Sequence, residues 1–162
     1  TVPELLAVVA IARGLCDAGE AEEAAALLPA NPAADVGGIE DAIAGLMAVR
    51  SRALAPRDPE AASQAAWDAL ARVPSLHPAF AAAAAADAAA ALVRIGGEGT
   101  EDAIWEALDR SAVPGIRLLR LSALRFAVRL GLHPAFAVEL DELRAVLARE
   151  NQEHPSFVSR WR

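Results

Sequence analysis

A chain of 162 residues is long enough for one domain with a sizeable core. Its net charge of −7 opposes nucleic-acid binding, which needs a basic face to neutralise phosphate. Apolar residues make up 55%, but alanine supplies much of that, and no stretch reaches the roughly 20 strongly apolar residues of a membrane span.

Lysine and tyrosine are absent, and all 15 basic residues are arginine, a bias that fits a GC-rich bacterial genome. The single Cys16 permits no internal disulfide, so a reducing cytoplasm is the expected compartment. The N-terminus shows no basic region followed by an apolar core, as a signal peptide would. It begins at Thr1 without methionine, so a processed product or a domain cut from a longer protein is expected.

In chain order, proline and glycine divide the sequence into helices. Proline suits the first helical position and glycine the place just past the last. Breaks at Gly19, Pro29 to Gly38, Pro56 to Pro59, Pro74, Gly96 to Gly99, Pro114-Gly115, Gly131 to Pro134 and Pro155 bound eight helices. These are expected over 3–18, 20–28, 39–55, 59–73, 78–95, 101–112, 116–130 and 134–150. β-branched residues are sparse and never alternate with polar ones over a strand length.

Within this pattern two echoes stand out. Trp67-Asp68-Ala69-Leu70-Ala71-Arg72 matches Trp105-Glu106-Ala107-Leu108-Asp109-Arg110 at an offset of 38 residues, within the range of two-helix repeats. Trp67 and Trp105 are therefore expected at equivalent, largely buried positions. His77-Pro78-Ala79-Phe80 recurs as His133-Pro134-Ala135-Phe136 and His154-Pro155-Ser156-Phe157. This reads as a shared helix start, with proline at the first position and an aromatic two residues on. Metal ligation by these histidines is disfavoured, because neither a helical three-or-four spacing nor a Cys-x-x-Cys knuckle is present.

The stretch from Ala91-Leu92-Val93-Arg94-Ile95-Gly96-Gly97, through Thr100 to Leu108 and the Pro114-Gly115 turn, ends on the apolar helix closing at Arg129-Leu130-Gly131. It resembles the HEAT-like repeats of α-solenoid proteins. The first pair, with Ala12, Gly19, Ala24 and Leu27-Leu28, resembles one tetratricopeptide repeat. The resemblance implies an all-α fold. About eight helices would form antiparallel hairpins stacked as a short right-handed α-α superhelix, a single domain over 1–162. It also implies an interaction surface rather than a catalyst.

Candidate sites follow from charge and shape. Cys16 lies at a helix C-terminus beside Asp17, which raises its pKa and argues against a reactive thiolate. Gly96-Gly97-Glu98-Gly99 lacks the lysine of a phosphate-binding loop. Acids fall mostly in first turns, where they favour the macrodipole. No enzyme activity and no cofactor are expected. The alanine run from Ala81 to Ala91, broken only by Asp87, predicts a tightly packed inner helix.

Helix 116–130 carries Arg117, Arg120, Arg125 and Arg129 and no acid. Residues 1–112 sum to −10 and residues 113–162 to +3. The functional expectation is that these four arginines dock an acidic protein or peptide partner. The structural expectation is that they snorkel or pair with acids of neighbouring helices. The chain is expected to serve as a scaffold or regulatory domain of a larger assembly. The alternative is a small-molecule-sensing module with an apolar pocket lined by Trp67, Trp105 and Phe126. A HEAT-type DNA glycosylase is opposed by the acidic charge. The tail His154 to Arg162 is expected to cap the last helix.

Overall fold

The structure is a computed structural model and describes residues 2–29 and 39–153. It is all-α, with no strand among the described residues. Eight α-helices follow one another among those residues: α1 Val2–Ala18, α2 Ala21–Leu27, α3 Glu40–Leu54, α4 Pro59–Arg72, α5 Pro78–Ile95, α6 Thr100–Arg110, α7 Arg117–Arg129 and α8 Ala135–Glu153. A 3-10 turn over Val73–Ser75 links α4 to α5. The expected tail cap and the His154 helix start lie outside the described residues.

Local chemistry accounts for the boundaries. Asp58 caps α4, its carboxylate accepting from the Ala61 amide at 3.0 Å, with Pro59 in the first helical position. His133 Nδ1 accepts from the Ala135 amide at 3.1 Å before α8. His77 and His133 each meet the phenylalanine three residues on edge-to-face, at 6.3 and 5.9 Å. The repeated tetrad is thus a helix-start device. At the end of α7, Gly131 takes a left-handed φ of 67°. Its amide bonds Val128 O and the Leu132 amide bonds Ala127 O, both at 3.0 Å, the paired closure of a Schellman stop.

The odd helices form a row, α1 on α3, α3 on α5 and α5 on α7. Among the described residues, α2 packs across α1 and α3, α4 across α3 and α5, α6 across α5 and α7, and α8 on α7. No comparable packing links α2 to α4, α4 to α6 or α6 to α8, so the odd row is the tighter of the two. Alanine makes that approach possible. Ala44, Ala48, Ala81, Ala84, Ala85, Ala88 and Ala89 are buried in one continuous core with Leu92, Ile104 and Leu124. Small side chains let helix axes come together at the short end of the usual 8–10 Å.

Helix starts recur with a steady period. Odd helices begin at Val2, Glu40, Pro78 and Arg117, spaced by 38, 38 and 39 residues. Core positions recur with them: Ser51, Ala89 and Ala127, each 38 residues apart, are all essentially fully buried. So are the pairs Ala66 and Ile104, Ala69 and Ala107, and Leu70 and Leu108 at the same offset.

Trp67 and Trp105 are equivalent in this register but are not core residues. They are 36% and 43% exposed. Each ring bridges the wider gap between even helices. Trp67 of α4 lies against Gly99, just before α6, and Trp105 of α6 meets Phe136 of α8 with ring centroids 5.3 Å apart. A splayed row needs long side chains where the tight row needs alanine.

By length and composition α5 could cross a membrane. Here its sides are covered by α3, α4, α6 and α7.

Candidate functional site

Asp87 is the one charged residue in the alanine stretch of α5, and it is 4% exposed. A buried carboxylate without partners would be expelled or protonated. This one is held by two helices of the same row. Arg13 Nε of α1 donates to Asp87 Oδ2 at 2.7 Å, and Arg52 Nη1 of α3 donates to Oδ1 at 2.8 Å. Arg52 Nη2 reaches on to Asp17 Oδ1 at 2.6 Å. Both carboxylate oxygens of Asp87 therefore accept charge-assisted bonds. Burial works against the Arg52 charge, but Asp87 and Asp17 outweigh it and hold the guanidinium above its ordinary pKa.

This ion bridge forms a ridge across the face of the odd row, with a hollow on each side. The larger, about 420 Å³, lies at the last turns of α1, α3, α5 and α7. Cys16, Arg52, Val93, Arg94, Phe126 and Arg129 line it. The smaller, about 250 Å³, lies toward the first turns of α3 and α5 and is lined by Leu6, Val9, Gly45, Ala79, Phe80 and Ala83. That residues from the same ends of four helices share one hollow means the odd helices run in one direction.

Electrostatically the larger hollow is cationic. Arg94 and Arg129 are exposed, and neither has a hydrogen bond or ion pair among the described residues. Their positions over helix C-termini complement the macrodipole. Cys16 is half-buried at the edge of this hollow. Burial pushes its thiol pKa up, Arg52 draws it back, and Asp87 and Asp17 push it further up. The direction agrees with the expectation from sequence, though desolvation rather than the adjacent Asp17 leads it.

The four arginines of α7 divide. Arg120 is consumed internally: its Nε and Nη2 donate to the two carboxylate oxygens of Glu139 at 2.7 and 3.0 Å, and its Nη1 donates to Leu108 O at 2.5 Å. Arg117 pairs with Glu150. These two tie α7 to α8 and α6, the structural role weighed above. Arg125 and Arg129 are exposed, and only Arg129 of the four joins the cationic hollow.

The three aromatic residues of the alternative pocket do not converge either. Trp67 abuts Gly99, Trp105 abuts Phe136, and Phe126 lines the cationic hollow. Sequence reading missed Arg13, Arg52 and Arg94. The visible signal was Asp87, an acid interrupting an alanine helix. Its partners stand 74 and 35 residues away, beyond any local pattern.

No protein-family model, no curated protein and no solved structure matches this chain.

Proposed function

We propose that this chain is a helical-repeat interaction module, a scaffold or regulatory domain that binds an acidic segment of a partner protein on the face of its odd helices. The observation that carries the reading is the pair Arg94 and Arg129. Two arginines without an internal acid share one hollow with Phe126, on a face that no even helix covers. Around the ion bridge, four arginines (Arg13, Arg52, Arg94, Arg129) face two aspartates (Asp17, Asp87). The excess charge favours an anionic partner despite the acidic whole. The 38-residue recurrence of helix starts and core positions supports the repeat reading. The ligand-sensing alternative lacks its site, because its three rings part. A protonated Cys16 offers no nucleophile to a catalytic reading.

The test is fluorescence anisotropy with labelled glutamate-rich peptides carrying one phenylalanine, against lysine-rich and neutral controls. Acidic peptides should bind selectively and weaken at least tenfold between about 50 and 300 mM salt, because exposed pairs are screened within about 10 Å. Arg94→Glu with Arg129→Glu should abolish binding with the helical CD signal intact. Equal binding of acidic and neutral peptides, or full binding by the folded double variant, would overturn the reading.

A further inference from the structure

The two hollows lie on one face and share α5. The larger takes Ala90 and Arg94 from α5, and the smaller takes Ala79 and Ala83. The matching positions are eleven residues apart along the helix, which is about 16 Å at 1.5 Å per residue. One hollow is cationic and the other is largely apolar, centred on Phe80, which is 36% exposed. Between them the Asp87 carboxylate is already saturated by Arg13 and Arg52. The surface along α5 is paved with alanine, so no long side chain of α5 rises between the hollows to bar a backbone.

Resting on the module reading, we infer that the partner segment lies extended along α5 and is held at two points. One acidic side chain sits between Arg94 and Arg129, and one large apolar side chain fills the Phe80 hollow. An extended chain advances about 3.3 Å per residue and alternates its faces. Only even separations put both anchors on the protein side, and separations of four and six residues span about 13 and 20 Å, bracketing the 16 Å required. Hollows of about 250 and 420 Å³ admit single side chains. A helix, some 10 Å across, would ride above them.

Peptides test the register directly. A Glu-Glu pair and a single phenylalanine are separated by two to eight glycine or serine positions, in both chain directions, and titrated against the full chain by anisotropy. Separations of four or six should bind at least tenfold more tightly than five. Phe80→Asp should erase that preference while leaving weak, salt-sensitive binding. Ala79→Glu, at an exposed position that fills the same hollow, should do the same if Phe80→Asp fails to fold. Affinity that is flat with spacing, or a helical peptide preferred at eleven, overturns the two-anchor inference and leaves the module standing if Arg94 and Arg129 still matter. Concentration-dependent self-association blocked by Ala79→Glu would make a second copy the occupant and also overturn it. Loss of any dependence on Arg94 and Arg129 overturns the module reading itself.

Discussion

Asp87 holds more of the molecule together than any other single side chain. It joins α5 to α1 through Arg13 and to α3 through Arg52. Removing one partner of a buried ion network leaves charge uncompensated, typically at about 3–5 kcal/mol. Both arginine side chains keep partial access to water, at 27% and 18%, so Asp87→Ala should lie near about 3 kcal/mol. Asp87→Asn, which keeps one acceptor, should cost less. Urea denaturation followed by CD measures both. A loss below about 0.5 kcal/mol for Asp87→Ala would mean the bridge is no more than an ordinary surface pair.

At the scale of elements, the two rows solve one packing problem with opposite side chains. The odd row is closed by alanine, and the even row is spanned by tryptophan. Gly99 shows how tight that span is. It has a φ of +76°, and a Cβ there would stand 2.6 Å from Trp67 Cζ2. Gly99→Ala should therefore destabilise through both backbone strain and collision, by about 2 kcal/mol or more. In a Trp67→Ala background only the strain remains, so a double-mutant cycle should show marked coupling. Strict additivity would show that the ring simply moves aside. Trp67→Ala alone should cost less than the roughly 3–5 kcal/mol of a buried aromatic, because more than a third of the side chain is already in water.

Across the whole molecule, α5 is the hub, packed by α3, α4, α6 and α7, whereas the seven-residue α2 and the terminal α8 have fewer neighbours. In a stack where each unit contacts only the next, the ends open first. Native-state hydrogen exchange should find amides of α5 at least about a hundredfold slower than those of α2 and α8. Uniform protection along the chain would instead describe a single cooperative unit. The charge asymmetry between the two ends is partly spent inside: Arg117 and Arg120 of α7 pair with Glu150 and Glu139 of α8. What remains for a partner is Arg129, joined by Arg94 from a helix 38 to 39 residues earlier in the register.

The amino-acid sequence by itself determined the helices and their period. Proline starts, glycine stops and caps act within a few residues, so boundaries such as Pro59, Pro78 and Gly131 were legible to within a residue or two. The 38-residue echo around Trp67 and Trp105 marked the true spacing of helix starts. Exposure of those tryptophans was not legible, because it depends on how far apart the even helices stand. That separation is set by alanines in the other row. The site was legible only in fragments. A composition rich in arginine shows how many cations there are, but which of them are neutralised depends on acids brought near by folding. Glu139 reaches Arg120 from 19 residues away and Asp87 reaches Arg13 from 74. Tertiary structure therefore decided which arginines bind the protein to itself and which face solvent, because pairing is a matter of distance in space.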